Sequence, residues 1–224
     1  WDVESATVIF TQQFESMCLT VQICPSNNDV FLACPNFYVP VVVNIKSKET
    51  KEFAGFHVPD AAMGASRSKV AGEALRNYVA CFEKSGELLY VGNGKGVVSV
   101  WNVETVEQVD TISLPSTTAV RNFQFTRDGG HFLVSETGKI RVYDTEEGTL
   151  HREFLDQVNR TQWRKCLFSA EGNYVLGATA EKGEHSIHIW NRDNGQLVLR
   201  LEGPKESIWD LAWHPTRAII ASVA

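Results

Sequence analysis

The sequence predicts an all-β fold of repeated antiparallel units, and three observations carry that prediction. The first is a dipeptide, usually an aromatic residue followed by Asp or Asn, that closes successive apolar runs. The second is its spacing, with steps of 42, 42 and 47 residues and one longer step of 58. The third is that Gly, Asn and Asp stand between the runs, where tight turns need residues that tolerate positive φ. The dipeptide occurs as Trp1-Asp2, Val43-Asn44, Trp101-Asn102, Tyr143-Asp144 and Trp190-Asn191.

A period of about 40–45 residues that closes on an aromatic-Asp pair is the signature of a WD40 β-propeller blade. Four short strands cannot bury both faces of a blade alone, so neighbouring blades must cover each other. The chain is therefore predicted to be one partial WD40 β-propeller domain over residues 1–224. The long step between Val43 and Trp101 leaves room for an inserted flexible loop at about 59–76. That loop is either a solvated insertion or a docking segment for a partner.

The predicted strands follow one another in the order that a propeller needs. Residues 7–14 are predicted as the fourth strand of an incomplete unit, and residues 208–217 and 218–224 as the first two strands of another. Closed propellers have about four to eight blades and no open edges. We therefore expect these residues to belong to a larger propeller, and the 224-residue chain alone not to be a stable monomer. The complete units between them have predicted strands at 18–25, 29–35, 39–46 and 51–58; 77–87, 88–96, 97–103 and 108–115; 120–130, 131–136, 140–148 and 150–156; and 163–173, 174–180, 186–195 and 197–203.

Composition and charge limit the classes of protein to consider. With 43% hydrophobic and 21% charged residues, the chain can form a sizeable core and is not disordered as a whole. No run approaches the roughly 18 apolar residues of a membrane-spanning helix. The net charge of −6 argues against a protein whose whole surface grips nucleic acid, but it permits a local basic strip.

Nothing in the residue spacing predicts a catalytic site, a metal site or a cofactor, so the chain is not expected to be an enzyme. An enzyme of propeller fold would need a cluster of His or carboxylates at the channel mouth, and the sequence offers none. The five cysteines lack close pairs, which favours reduced, buried thiols of an intracellular protein over zinc ligands. His185 and His188 are three positions apart, and in a strand that offset points to opposite faces. The Gly-rich residues 92–96 lack the phosphate-binding loop pattern and are interpreted as a hairpin turn.

Four stretches are more specific than the blade signature, namely residues 156–169, 211–222, 87–98 and 139–144. The most distinctive contains the string VNRTQWRKCLFS. In order and spacing, these stretches resemble the propeller of the retinoblastoma-binding protein five family. That family supplies the WD40 scaffold subunit of COMPASS-type (SET1/MLL) histone methyltransferase complexes. The resemblance implies a seven-bladed propeller in the intact protein, of which this chain spans the end of blade two to the start of blade seven.

The resemblance also implies what such a protein does. It implies a non-catalytic scaffold in the nucleus that organises a SET-domain subunit, which methylates histone H3 at lysine four. A SPRY-domain subunit, a second WD40 subunit and the nucleosome are the implied partners, and no membrane is involved. The alternative is a WD40 adaptor of another multisubunit complex, such as a ubiquitin ligase or an RNA-processing assembly.

Basic residues collect around the distinctive string and in turns of the adjacent blades. Arg160 is followed within five positions by two more cations, and Lys139, Lys182 and Lys205 recur in turns. Because equivalent turns of successive blades lie side by side, these cations are expected to form one basic edge suited to phosphate contacts. The resemblance implies contact with nucleosomal DNA through Arg160, which matches a family arginine, and through the three lysines, which lie near family positions. Lys keeps the charge of those positions but lacks the bidentate geometry of Arg.

The tryptophans are predicted to serve mainly as packing residues. Trp101 and Trp190 close third strands and are expected in the core. Trp163, beside the distinctive string, is either an anchor in the core or at a blade edge, or an exposed contact residue. Trp209 and Trp213 alternate along one strand, which also favours packing.

Overall fold

A computed structural model describes residues 2–53, 78–156 and 161–224. These ranges hold eighteen β-strands, and they contain no helix long and apolar enough to cross a membrane. The predicted insertion at about 59–76 and Arg160 lie outside the described residues. In chain order the strands are β1 (Cys18–Cys24), β2 (Asn27–Pro35), β3 (Val41–Asn44), β4 (Thr50–Glu52), β5 (Val79–Phe82), β6 (Leu88–Gly92), β7 (Val97–Asn102), β8 (Gln108–Ser113), β9 (Asn122–Phe125), β10 (His131–Glu136), β11 (Lys139–Asp144), β12 (Leu150–Phe154), β13 (Trp163–Phe168), β14 (Tyr174–Thr179), β15 (Ser186–Asn191), β16 (Leu197–Glu202), β17 (Asp210–Trp213) and β18 (Ile220–Val223).

Four sheets of four antiparallel strands follow one another along the chain, each with its strands in sequence order. We number them sheets 1 to 4, formed by β1–β4, β5–β8, β9–β12 and β13–β16. Strands β17 and β18 form a two-stranded hairpin after sheet 4. This repeat confirms the predicted all-β propeller fold, and the strands of the four sheets lie where the sequence places the four complete units.

The hydrophobic core lies between the sheets, as the blade argument requires. Phe53, which follows β4, packs against Trp101 of sheet 2, with ring centroids 6.0 Å apart. Phe154 of sheet 3 lies 5.9 Å from Trp190 of sheet 4, and Tyr143 joins the cluster that fills the gap between sheets 2 and 3. The first residue of each of these repeated dipeptides is thus a large member of an inter-sheet core. Burying one such side chain contributes about 1.5–3 kcal/mol.

The second residue of the dipeptide closes the turn between the third and fourth strands. Oδ1 of Asp144 accepts hydrogen bonds from the backbone amides of Glu146 and Glu147, at 2.9 and 2.8 Å. A short polar side chain that bonds amides two and three positions later is a turn-forming device. The signature therefore couples a core anchor to the turn that follows it. The same pair of bonds is made by Asn44, Asn102 and Asn191.

The residue four positions after this Asp or Asn has a positive φ in all four sheets. Gly148 and Gly195 occupy it in sheets 3 and 4, with φ of 64° and 74°. Lys48 and Val106 occupy it in sheets 1 and 2, both with φ of 59°. An L-residue with a side chain is strained in this conformation, whereas Gly is not. Two of the four turns therefore carry backbone strain that the other two avoid.

The predicted strand at residues 7–14 is wrong. This segment forms no strand, and Ile9 within it is 65% exposed. A strand forms when its backbone groups pair with a neighbour, and among the described residues no strand pairs with this segment. Phe10 in this segment contacts β2, since its ring centroid lies 6.2 Å from that of Phe31.

Two sheet faces present apolar side chains that no described sheet covers. On sheet 1 the exposed apolar side chains occupy every second position of β1. On sheet 4 they lie along β16, which pairs with the buried strand β15. Exposed apolar strands of this kind favour association with other chains. The expectation that the chain alone is not a stable monomer stays a prediction, but these faces give it a physical cause. The exposed residues are Leu19, Val21 and Ile23 on β1 and Leu197, Leu199 and Leu201 on β16.

Candidate functional site

The turns between second and third strands share one face of the molecule with the connections between sheets. At sheet 2, the amide of Leu114 donates a hydrogen bond to the carbonyl oxygen of Gly96, at 2.9 Å. At sheet 4, the amide of Gly183 donates to Oγ of Ser207, at 3.3 Å. Each bond joins a second-to-third-strand turn to the segment that leaves the same sheet. We call this surface the top face.

The three lysines predicted to contact DNA lie on the top face, but acidic residues accompany them. Lys139 begins β11, Lys182 lies in the turn before β15, and Lys205 lies in the segment after β16. Lys182 and Lys205 are exposed. Their neighbours in the chain include Glu181 and Glu206, so this edge carries both signs of charge.

Lys139 belongs to a partly buried ion-pair network. Its Nζ lies 3.0 Å from Oε1 of Glu153, and Nε of Arg141 lies 2.8 Å from the other oxygen of that carboxylate. Arg141 also pairs with Glu136, and the two side chains are only 5% and 1% exposed. Partial burial opposes ionisation of Glu153, but the hydrogen bonds from Lys139 and Arg141 outweigh it and lower the pKa of that carboxyl. Lys139 is therefore engaged by a protein carboxylate in this structure.

Trp163 is a core anchor, and the alternative of an exposed contact residue is excluded. The side chain is 1% exposed, and its ring centroid lies 5.2 Å from those of His188 and Trp190. It lies against Gly177, where an added Cβ would approach the indole to 2.8 Å. Arg160, three positions earlier, lies outside the described residues, so its role stays a prediction.

Trp209 is not a packing residue, contrary to the sequence-based expectation. It lies just before β17 and is 64% exposed, whereas Trp213 packs against the last inter-sheet core cluster. The guanidinium carbon of Arg164 lies 4.7 Å from the centre of the Trp209 ring, which is a cation–π contact. The alternation of the two tryptophans suggested a common buried face, but Trp209 lies outside the paired part of the strand. Nothing in the sequence marks this end of β17.

The first strands of the sheets line a cavity of about 480 Å³, which is the inner channel of the propeller. Polar side chains join neighbouring strands across it. Oε1 of Gln22 accepts a hydrogen bond from the backbone amide of Phe82, at 3.0 Å. Nδ2 of Asn122 donates to the carbonyl oxygen of Cys166, at 2.7 Å. These polar residues were not predicted from the sequence, although a Gln or Asn within an apolar strand is the signal that would have found them.

The thiols and imidazoles show the chemistry of a packed core. Four of the five free cysteines are buried, and burial raises the pKa of Cys34 and of Cys81 to about 12, which leaves both thiols protonated and unreactive. Burial and then the charge of Arg200 lower the pKa of His188, so that imidazole is neutral between two indole rings. Among the described residues, no group of three His, Cys, Asp or Glu side chains is placed to hold a metal ion.

The turn at residues 92–96 is a hairpin connection, as predicted. Oδ1 of Asn93 accepts hydrogen bonds from the amides of Lys95 and Val97, at 2.8 and 3.0 Å. Gly96 has a φ of 73°, which a hairpin turn of this kind requires. The amides of Lys95 and Val97 are therefore used inside the turn and are not offered to a phosphate.

Comparisons with known proteins agree with this fold. The model of the WD domain, G-beta repeat, matches residues 195–224. The Retinoblastoma-binding protein 5 homolog of Drosophila melanogaster is 35% identical over 241 residues, covering 100% of this chain and 45% of that protein. The Set1 complex component swd1 of Schizosaccharomyces pombe is 31% identical over 149 residues, covering 65% of this chain and 37% of that protein. This chain thus spans less than half the length of these relatives.

A solved structure is similar over nearly the whole chain. It is the β-propeller domain of Cps50 (Swd1) from Myceliophteria thermophila, and it superposes with a TM-score of 0.83 at 25% sequence identity. The match covers 99% of this chain and 72% of that one. The sheets described above are therefore similar to blades of that propeller.

Proposed function

Since this chain belongs with the retinoblastoma-binding protein five and Swd1 proteins in sequence and in fold, we propose that it is a WD40 subunit of a COMPASS-type histone methyltransferase complex in the nucleus. The observation that carries the proposal is the 35% identity to the Drosophila homolog, which extends over the whole chain. The name of the Schizosaccharomyces pombe relative supports it further, since that protein is a Set1 complex component.

Within that complex the chain acts as a scaffold and not as the catalyst. A SET-domain subunit transfers the methyl group to histone H3 lysine four, and this chain organises that subunit together with a SPRY-domain subunit and a second WD40 subunit. The internal bonding and packing of the molecule support this role. Hydrogen bonds join its polar inner strands, four of its five thiols are buried, and hydrophobic cores between the sheets hold the surface turns in place.

Contact with nucleosomal DNA is the finer part of the proposal, and it involves Arg160, Lys139, Lys182 and Lys205. Lys182 and Lys205 are exposed on the top face, and no ion pair joins either of them to another described residue, so they can approach phosphates without breaking such a pair. Lys139 would have to share its charge with Glu153, 3.0 Å away, and contributes less. Contacts of this kind position the protein on the nucleosome and carry no sequence preference.

Affinity purification of the intact protein from its native nuclei tests the complex. The expected result is a SET-domain methyltransferase, a SPRY-domain protein and a second WD40 protein among the co-purifying subunits. Recovery of ubiquitin-ligase or RNA-processing subunits in their place would favour the alternative, a WD40 adaptor of another assembly. An unrelated WD40 protein carrying the same tag controls for capture by the tag.

A further inference from the structure

The cation–π pair of Arg164 and Trp209 lies at the top end of the first strands of two neighbouring blades. Arg164 occupies a β-bulge, because Trp163 pairs with Thr179 while Lys165 already pairs with Ala178. A bulged residue has no opposite number in the partner strand, and its side chain is redirected out of the sheet. This redirection brings the guanidinium of Arg164 over the indole of the next blade, at 4.7 Å.

The pair is part of a larger cationic and aromatic surface. Arg121 directly precedes β9, and Trp209 directly precedes β17 in the same way. The amide of Arg121 donates to the carbonyl oxygen of Ser135 on β10, at 2.9 Å, and that of Trp209 donates to the carbonyl oxygen of Val223 on β18, at 2.7 Å. Lys165 follows Arg164 and lies 3.4 Å from Asp210. These residues lie on, or directly before, the innermost strands β9, β13 and β17, which line the 480 Å³ cavity. We therefore call Arg121, Arg164, Lys165 and Trp209 the channel rim.

The channel rim is net positive on a chain of net charge −6. Arg121 and Arg164 are exposed, and within the described ranges no carboxylate pairs with either guanidinium. Only the Lys165 ammonium has such a partner, Asp210. Two planar guanidinium groups that no described carboxylate engages are suited to bind carboxylates through paired hydrogen bonds.

Trp209 supplies the second half of the recognition surface. Arg164 covers part of its indole, yet the side chain remains 64% exposed. Exposed Trp and Arg side chains that are held in place before binding are the residue types that dominate protein–protein hot spots. A peptide side chain can enter the concave mouth behind the rim, where Asn122 and Lys165 line the cavity.

We propose that the channel rim binds a segment of a partner protein in which a carboxylate stands next to an apolar side chain. The carboxylate pairs with Arg164 and Arg121, and the apolar side chain packs on the free part of the Trp209 indole. A peptide is favoured over duplex DNA because the rim surrounds a cavity, whereas a duplex is a convex surface that meets the outer turns. The channel rim shares no residue with the proposed DNA contact, so the two proposals can be tested independently.

The test is selection from a random-peptide phage library on the intact protein that carries these residues, followed by anisotropy titration of the enriched peptide. Arg164→Gln removes the charge but keeps a long side chain at the bulge, and Trp209→Ala removes the indole. Arg217→Gln, an exposed substitution in the hairpin between β17 and β18, is the matched control. Thermal melting of each variant establishes that it is folded.

We expect enrichment of sequences with Asp or Glu beside an aliphatic or aromatic residue. Each rim substitution should weaken binding of the enriched peptide about tenfold or more, and Arg217→Gln should leave it unchanged. The proposal is overturned if the enriched peptides lack carboxylates, if they bind both rim variants as tightly as the wild type, or if nothing is enriched. A labelled DNA duplex that displaces the peptide and no longer binds the same variants would assign the rim to nucleic acid instead.

Discussion

Gln124 and Phe168 are joined across the gap between sheets 3 and 4. Oε1 of Gln124, on β9, accepts a hydrogen bond from the backbone amide of Phe168, on β13, at 2.9 Å. Gln22 and Phe82 repeat the relationship between sheets 1 and 2, at 3.0 Å. Each bond satisfies a strand amide that faces the channel, and each ties the inner strand of one blade to that of the next.

Replacing Gln124 by Leu should therefore destabilise the intact protein by about 1–3 kcal/mol, because the Phe168 amide loses its acceptor in a partly buried site. Urea unfolding measures the free energy. Gln196→Leu, at an exposed position, is the control and should change the stability by less than about 0.5 kcal/mol. If both substitutions have the same small effect, the bond across the gap contributes nothing to stability.

The turns between third and fourth strands allow a paired test of backbone strain. At Gly148 an added Cβ meets no atom within 4 Å, so Gly148→Ala changes only the backbone preference at a φ of 64°. It should cost about 1 kcal/mol. Lys48→Gly should instead stabilise by about 0.5 kcal/mol, since relief of strain at a φ of 59° exceeds the added chain entropy. Thermal melting of both variants checks the two opposite signs, and equal signs would contradict the explanation.

Two imidazoles should make the fold sensitive to acid. Burial lowers the pKa of His131, with the charges of Arg192 and His151 adding to the effect, and burial also lowers the pKa of His188. Below the ordinary pKa of 6.5 the unfolded chain therefore binds more protons than the folded one. The free energy of unfolding should therefore be highest above that pH and should decrease as the pH drops below it.

Urea midpoints of the intact protein at about pH 7.5 and about pH 5.5 measure this loss. His131→Asn should reduce the difference between the two midpoints, since one of the two groups is removed. The control, His214→Asn in the hairpin between β17 and β18, should leave that difference as in the wild type. Because His214 accepts a bond from the Thr216 amide, the control variant needs its own midpoint at neutral pH as a reference. An unchanged difference in the His131 variant would argue against a role for that group.

The scaffold proposal predicts that this chain alone transfers no methyl group from S-adenosylmethionine to histone H3 peptide. The expected rate is that of the buffer, because the proposal assigns the reaction to a separate SET-domain subunit. Incorporation of labelled methyl groups is the measurement, with the reconstituted complex as the positive control. Turnover that survives removal of every SET-domain contaminant would contradict the scaffold role.

A substitution at Arg160 distinguishes a role in DNA contact from a role in supporting the fold. If it contacts nucleosomal phosphates, Arg160→Glu should slow methylation of nucleosomes by the assembled complex and leave methylation of free H3 peptide nearly unchanged. The log–log salt dependence of nucleosome binding should become shallower by about one unit for each phosphate that the variant no longer neutralises. Equal reduction on both substrates, with a lower melting temperature, would show that Arg160 instead braces the junction beside Trp163. Lys182→Glu, at an exposed position of the top face, provides a second test of the DNA contact.

The blades could be predicted from sequence because one repeated dipeptide has two structural roles. Its aromatic residue packs between sheets, and its Asp or Asn closes a turn with residues that follow directly in sequence. Because both roles recur in each unit, the dipeptide repeats at a regular spacing that the sequence reveals. The strand at 7–14 failed because a strand also needs a neighbour, which no local pattern reveals. Trp209 failed for a related reason: its exposure follows from where the pairing of β17 begins and from a bulge in another blade. The pairing of Lys139 with Glu153 was not anticipated either, because the two residues are fourteen positions apart and meet only across paired strands.

The links between inner strands are unequal around the channel. Leu167 pairs with Leu176 on β14 just as Gln124 pairs with Leu133 on β10, so it holds the equivalent place in sheet 4. A leucine has no polar atom to offer to β17. The boundary between sheet 4 and the β17–β18 hairpin is therefore a seam, held there by apolar packing and by surface contacts such as Lys165 with Asp210. A boundary without such a bond opens more readily than one that has it, and the rim residues Arg164 and Trp209 lie on its two sides.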